Sequence, residues 1–240
     1  MNILITLCAR GGSKGIPGKN IKLIAGKSLI AYSIDLTNKL KAKWNAKVGL
    51  STDDSEIKSV AAVHGLFTNY VRPDYLATDV AGKLDTIKDL LFYEESLVDY
   101  KYDFVLDLDI TSPLRTLEDV EKALELMIGN SEAQTLFSVN NAARNPYFNM
   151  VEENANGFYS LVKTNPNGSL MTRQSAPKVY DLNASFYWYR RSFFYSDFKT
   201  ALTNKSLIYA MDHVCFDLDH PIDFLFMEYL LQNNKLDFEL

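Results

Sequence analysis

The chain opens on Ile3-Leu4-Ile5-Thr6-Leu7-Cys8, a run that is apolar at nearly every position and is closed by Gly11 and Gly12. A short unbroken apolar run bounded by turn residues reads as a strand buried on both faces. The same pattern returns at Val48-Gly49-Leu50-Ser51, which ends on Thr52-Asp53-Asp54, and at Gly65-Leu66-Phe67 to Val71, Phe104 to Leu108, Ala133 to Val139 and Ala184 to Tyr189. Between these runs the apolar positions fall at helical spacing: about 28–40 (Leu29, Ile30, Ile34, Leu36), 55–63, 83–97, 117–128 and 222–232. Thr116 followed by Asp119 at the third helical position predicts a capping box, and Pro221 suits the first turn of the closing helix.

Strands alternating with helices predict an α/β fold with a mostly parallel, Rossmann-like sheet covered by helices on both faces. The rhythm breaks between about 140 and 180. Asn, Pro, Gly and Tyr become frequent there, and Phe158-Tyr159-Ser160-Leu161-Val162 alternates in polarity, which predicts a β-rich insertion. With no internal repeat and no low-complexity linker, residues 1–240 are read as one domain with an inserted subdomain at about 140–180.

Composition narrows the function. The 240 residues carry a formal net charge of -5, so a broad basic face for nucleic acid is excluded, while a local cation cluster for a small anion is not. Cys8 and Cys215 lie far apart in strand-like runs and show no zinc-ligand spacing, which reads as two reduced thiols. His64, His213 and His220 show no ligand spacing either. The opening run is too short for a signal peptide and lacks a basic flank, and no apolar stretch approaches membrane-spanning length. The expected location is the cytoplasm, away from any membrane.

The loop after the first strand carries the chemistry. Gly11, Gly12, Gly15 and Gly18 let backbone N–H groups approach a ligand, and Arg10, Lys14 and Lys19 place three cations within ten residues. In open α/β sheets ligands bind beyond the carboxyl ends of strands, so this loop suits a triphosphate. It is neither of two familiar phosphate motifs. A P-loop ending on Gly18-Lys19 needs Gly where Ser13 stands and Ser or Thr where Asn20 stands, and G-x-G-x-x-G is missing. Late in the chain Asp217 and Asp219 stand two apart, and on a strand such positions share a face. Two converging carboxylates suit Mg²⁺, which uses one or two carboxylates plus substrate phosphates; a plain turn before Pro221 is the alternative. Asp107 and Asp109 form a second such pair, ranked lower as metal ligands.

Leu7 to Asn20 resembles the signature of the CMP-N-acylneuraminate cytidylyltransferases, which activate sialic-type (nonulosonic) acids; Arg10, Ser13, Lys14, Gly15, Pro17, Lys19 and Asn20 match it. The related 3-deoxy-manno-octulosonate enzymes carry a different version of this loop. Further matches follow in order: Ser51-Thr52-Asp53, Arg72-Pro73 through Leu76-Ala77 and Asp79 to Ala81, Thr111-Ser112-Pro113-Leu114-Arg115, Arg173-Gln174 with Pro177 and Asn183-Ala184, and Phe216-Asp217-Leu218-Asp219. The similarity runs from about residue 3 to about residue 232.

The resemblance implies a nucleotidyltransferase sheet, CTP and an acidic nonulosonic sugar as substrates, and Mg²⁺ as cofactor. It implies attack of the sugar's anomeric hydroxyl on the α-phosphate, with Arg10, Lys14 and Lys19 as the catalytic cations. Nucleotide contacts are expected from Ala9, Arg10, Gly11, Ser13, Lys14, Lys19, Asn20, Ser51, Arg72 and Ala81. Sugar contacts are expected from Asp109, Arg173, Gln174 and Asn183, and metal contacts from Asp217 and Asp219. The insertion resembles a dimerisation subdomain, so a homodimer with sites completed by the partner chain is expected. Three positions depart from the neuraminate pattern: Asp109 stands for Gln, Gly82-Lys83 for a Ser pair, and Asp181 for Arg. Gly82-Lys83-Leu84-Asp85 looks more like the branch that activates legionaminic acid. Two alternatives stay open: a nucleotidyltransferase for another keto-sugar acid or nucleotide, and a catalytically silent nucleotide-binding regulator.

Overall fold

The computed structural model describes residues 1–12, 15–165, 168 and 172–240. Strand β1 (Ile3–Cys8) is buried at its first five positions, as its unbroken apolar sequence requires. The loop behind it ends in a small ribbon, β2 (Leu23–Ile24) paired with β3 (Lys27–Ser28). Helix α1 (Leu29–Lys43), strand β4 (Ala46–Ser51) and helix α2 (Ser55–Val63) follow. Asp54 caps α2 by accepting from the N–H groups of Glu56 and Ile57. Helix α3 (Lys83–Ser96) leads to β5 (Phe104–Leu108), and α4 (Leu117–Gly129) begins on the Thr116–Asp119 capping box that the spacing predicts. Strand β6 (Thr135–Asn141) precedes a hairpin of β7 (Val151–Glu153) and β8 (Tyr159–Leu161). The chain returns in β9 (Tyr180–Arg190) and closes with β10 (Ser206–Ala210) and α5 (Pro221–Gln232).

The main sheet has the order β10-β6-β9-β5-β1-β4. Its neighbours run parallel except at β9, which is antiparallel to both β5 and β6. Alternation along β1 sends Ile3, Ile5 and Leu7 into a core with α1, α2, α4 and α5, while Leu4 packs with Ile87 and Leu91 of α3 on the other face. Helices therefore cover both faces, as expected for a mostly parallel sheet. Because β4, β1 and β5 are parallel neighbours, their carboxyl ends share one edge. The loops starting at Ala9, Thr52 and Asp109 gather there.

Two elements differ from the sequence reading. Residues 65–71 form no strand. Leu66 and Tyr70 are buried but Phe67 and Val71 are exposed, and the segment is tied to the edge strand β4 through the Thr68 hydroxyl, which donates to the Leu50 carbonyl, rather than by a ladder. Strand β10, in contrast, is not among the strands read from the sequence: Leu207-Ile208-Tyr209 is a short β-prone run between Ser206 and Ala210, and it pairs in parallel with β6 at the sheet edge. The excursion between β6 and β9 projects its hairpin outward, with every residue of β7 and β8 exposed. Among the described residues no helix is long and apolar enough to cross a membrane.

Candidate active site

The glycine-rich loop begins where β1 ends. Ala9 is buried and its N–H donates to the Ser51 carbonyl at 2.9 Å, which holds the loop's root against β4. The Gly11 N–H donates to Asp53 Oδ1 at 3.1 Å. A Cβ on Gly11 would lie 2.5 Å from Asp54 Oδ2, so the close approach of loop to helix cap requires glycine here. Gly18, at φ 65°, turns the chain into a single helical turn over Lys19–Ile21. Asn20 is buried and its Nδ2 donates to the Arg10 carbonyl at 3.0 Å, stapling the loop's two ends together. Arg10 Nη1 reaches Asp79 Oδ1 at 2.6 Å. Ser13 and Lys14 lie outside the described residues.

Lys19 connects this loop to the other end of the chain. Its Nζ donates to the Leu218 carbonyl at 2.9 Å and lies 3.5 Å from Asp219 Oδ1. The 211–219 segment is not a strand, contrary to the sequence reading of Asp217 and Asp219. Its anchor is instead the Leu218 N–H, which donates to the Thr111 carbonyl at 2.9 Å, with the Leu218 side chain fully buried. The two carboxylates flank that anchor in unlike settings. Asp219 is exposed at 65% of its side chain. Asp217 is half-buried, and its Oδ1 is buried with no hydrogen-bond partner. Burial raises its pKa, the Asp109 and Asp219 charges add to the rise, and a Thr111 hydrogen bond and Lys19 oppose it. A buried carboxylate oxygen without a donor is costly unless a cation meets it. The unpartnered Asp217 oxygen and the nearby exposed Asp219 are the donor set of a cation that takes one or two carboxylates and fills its remaining positions with phosphate and water, as Mg²⁺ does.

Beside the loop lies a cavity of about 260 Å³, walled by Cys8, Arg10, Arg72, Asp79, Ala81, Lys83 and Asp109 among others. Arg72 is only 5% exposed. Its Nε donates to Ser51 Oγ at 2.9 Å and its Nη2 to the Ser51 carbonyl at 2.8 Å, which leaves Nη1 for a ligand. Ser51 is itself fully buried and stands behind Arg72 rather than on the cavity wall. Burial, with the Asp107 carboxylate nearby, pushes the Cys8 thiol up to about 12, so it is no nucleophile at neutral pH.

The floor of the site is a charge cluster. Lys83 Nζ lies 2.7 Å from Asp107 Oδ2 and 2.6 Å from Asp109 Oδ2. Burial alone would raise the Asp109 pKa, but the Lys83 ammonium and the Thr111 donors hold it down at about 2. Arg115 is buried beneath and donates to the carbonyls of Asp109, Ser112 and Ser185, each at 2.8–2.9 Å. Burial lowers its pKa to about 10, which leaves it charged at neutral pH. Arg115 thus explains its place in Thr111-Ser112-Pro113-Leu114-Arg115: it fixes the turn that aims Asp109 and Thr111. Lys83 was noted in the sequence only as a departure from a pattern; its place at the start of α3, directly after Gly82, was the available signal.

The remaining sugar-side candidates do not line this cavity. Asn183 is buried in a side-chain network, accepting from Ser138 Oγ at 2.6 Å and donating to Asn140 Oδ1 at 2.8 Å. Arg173 and Gln174 are exposed on the insertion, where Arg173 Nη2 donates to the Ala142 carbonyl at 2.7 Å.

The chain is similar to known proteins over nearly its whole length. A family model described as cytidylyltransferase matches residues 4–238. The chain is 38% identical over 234 residues to a CMP-N,N'-diacetyllegionaminic acid synthase of Campylobacter jejuni, covering 98% of this chain and 97% of that protein. It is 36% identical over 234 residues, with the same coverage, to the post-translational flagellin modification protein B of Campylobacter coli. In fold it is similar to a CMP:2-keto-3-deoxy-manno-octonic acid synthetase complexed with CTP, at a TM-score of 0.69 and 19% identity over 98% of this chain and 100% of that one.

Proposed function

Since this chain belongs to the cytidylyltransferase family, we propose that it joins CTP to a nonulosonic acid, releasing pyrophosphate and the CMP-sugar. The acid is a diacetamido sugar of the legionaminic type, a reading supported by the nearly full-length similarity to a CMP-N,N'-diacetyllegionaminic acid synthase. The sugar's anomeric hydroxyl attacks the α-phosphorus of CTP. A new O–P bond forms, the bond to the bridging oxygen of the β-phosphate breaks, and the hydroxyl proton is lost to solvent. The observation that carries this reading is the meeting of loop and tail at one sheet edge, where Lys19 stands between the glycine-rich backbone and the Asp217–Asp219 segment.

Each residue then has a task. Arg10, Lys14, Lys19 and the loop N–H groups bind the phosphates and offset the charge that develops as pyrophosphate leaves. Arg72, backed by Ser51, offers its remaining N–H groups to the cytosine edge. Asp217 and Asp219 hold Mg²⁺, which when bound neutralises phosphate charge and makes the attacking hydroxyl more acidic. Arg173 takes the sugar carboxylate by a two-pronged contact. The exposed hairpin, with Val151, Phe158 and Tyr159 each more than 60% exposed, forms a homodimer contact that carries Arg173 to the partner's site. Reduced Cys8 and Cys215 suit work in the cytoplasm.

The test is a pyrophosphate-release assay across the four common nucleoside triphosphates and a panel of sugar acids, with product masses measured. CTP with a diacetamido nonulosonic acid is expected to give the fastest turnover and a CMP-sugar mass. Turnover that is faster with another nucleotide, or CTP binding without turnover on any acid, would reject this reading.

A further inference from the structure

Lys83 is the first residue of α3 and stands between two cavities. One is the cavity of about 260 Å³ that it shares with Arg10, Arg72 and Asp109. The other, about 410 Å³, lies between the start of α3 and residues 193–201, and Lys83 lines it with Leu84, Phe193, Phe194 and Phe198. An ammonium has three N–H donors. Asp109 Oδ2 accepts one of them, Asp107 Oδ2 faces the ammonium at 2.7 Å as an ion pair, and with 38% of the side chain exposed an N–H is open to a ligand. The clamp is rigid. Asp107 is fully buried and accepts from the Thr6 hydroxyl at 2.8 Å, while Asp109 Oδ1 accepts from both the N–H and the hydroxyl of Thr111 at 2.9 Å.

The charge count decides what can bind there. Lys83 and the charged Arg115 beneath it balance Asp107 and Asp109, so the cluster is close to neutral and its polar groups suit a neutral ligand group. A neutral group carrying both a donor and an acceptor is favoured, because it can accept from Lys83 and donate to Asp109. An acylamino group has both, and its apolar methyl suits the phenylalanine-lined side of the second cavity. Resting on the function proposed above, we propose that Lys83 is a specificity residue for the sugar. It donates its open N–H to the amide carbonyl of the acylamino-bearing end, with Asp109 as the acceptor beside it.

The experiment compares the wild-type enzyme with Lys83→Met on two probes at saturating CTP: a diacetamido nonulosonic acid, and the same nine-carbon acid with hydroxyls in place of both acylamino groups. The wild type is expected to prefer the first. In Lys83→Met, kcat/KM for the diacetamido acid should fall roughly 10- to 100-fold, the loss for a hydrogen bond to a charged donor. The KM for CTP should stay within about threefold, and the hydroxyl analogue, which can take the same N–H but has no amide or methyl to place, should lose clearly less, so that the preference for the diacetamido acid shrinks. Should Lys83→Met fail to fold because Asp107 is left buried and unpaired, Lys83→Met/Asp107→Asn removes both charges and gives the same reading. A variant that keeps the wild-type preference, or loses activity equally on both acids as a structural role would demand, overturns the inference. A wild type that prefers the hydroxyl analogue overturns it too. A wild type inactive with CTP on every acid rejects the proposed function instead, and the inference with it.

Discussion

Lys19 and Asp219, 200 positions apart in sequence, form an ion pair of 3.5 Å at the carboxyl edge of the sheet. The pair joins the phosphate loop to the segment that carries the metal candidates. Without ligand, the Lys19 charge is spent on Asp219 and the Leu218 carbonyl. If a triphosphate–Mg²⁺ complex binds as proposed, the phosphate would take Lys19 and the cation would take Asp219.

Lys19→Ala is therefore expected to lower CTP turnover by on the order of 10² or more, because a cation aimed at developing phosphate charge is removed. The measurement is kcat for pyrophosphate release at saturating substrates. A variant close to wild type would dismiss Lys19 from the phosphate site.

Asp217→Asn separates stability from function. The buried, unpartnered Oδ1 and the raised pKa mean that the folded chain holds a proton on Asp217 more tightly than the unfolded chain does. For an acid whose folded pKa lies above its unfolded value, the carboxylate is destabilising at higher pH, and that cost fades as pH falls through the folded pKa. Asn carries no charge to bury. Near pH 7.5 with a chelator present, Asp217→Asn is expected to melt about 2–4 °C higher than wild type, equivalent to about 1 kcal/mol, while turnover drops about 10²-fold. A variant that is less stable without Mg²⁺ would count against a cation site here.

The fold was legible where one physical pattern dominates. Strands β1 and β5 are largely apolar, broken only by the mutually bonded Thr6 and Asp107, because they are central and covered on both faces, and the Thr116–Asp119 capping box is a purely local code. Residues 65–71 misled because their apolar residues serve a loop lying along the edge strand β4, with the Thr68 hydroxyl replacing a ladder. Strand β10 was missed for the converse reason: at an edge, half its surface needs no apolar residue, so three β-prone residues suffice. In the site, Arg10, Lys19 and Asn20 were legible because glycines and cations concentrate in one loop. Lys83 was not, since its meaning depends on Asp107 and Asp109, which only the α3–β5 packing brings to it. Arg115 likewise could be matched to a motif, but its work beneath the Asp109 turn depends on the Ser185 carbonyl of the distant strand β9 as well as on two carbonyls of its own turn.

The segment carrying Asp217 is tethered by a pH-sensitive contact. His213 Nε2 lies 2.9 Å from Asp119 Oδ2, and its ring stacks on Phe238 at 3.8 Å. Burial alone would lower the His213 pKa, but the Asp119 hydrogen bond and the Val214 carbonyl raise it above 6.5. Burial alone would raise the Asp119 pKa, but His213 and Thr116 lower it below 3.8. For His213, the contribution is fully present below its unfolded pKa and is lost as pH rises through the higher folded value. For Asp119, it is present above the unfolded pKa and is lost as pH falls through the lower folded value. The pair is strongest between these limits. His213→Ala is expected to reduce the melting temperature by roughly 3 °C at about pH 5.5 and by less at about pH 9. An equal loss at both values would show that the ring acts by packing on Phe238 alone.

Arg173 poses a geometric question that a mixing experiment answers. It stands on the exposed excursion between β6 and β9, apart from Lys19 and Asp109, and its guanidinium is held by the Ala142 carbonyl. If the excursion serves the partner's site, each site in a dimer draws Lys19 from one chain and Arg173 from the other. Lys19→Ala and Arg173→Ala would each be nearly inactive alone. Equal amounts, unfolded together and refolded, give mixed dimers in about half of the population, and each mixed dimer holds one site with both residues intact. Activity should therefore recover to about a quarter of wild type. If Arg173 worked within its own chain, every site in the mixture would lack one of the two residues and no recovery would follow. An active monomer in sedimentation would rule out the shared site directly, since the exposed Phe158 and Tyr159 would then have no partner surface to cover.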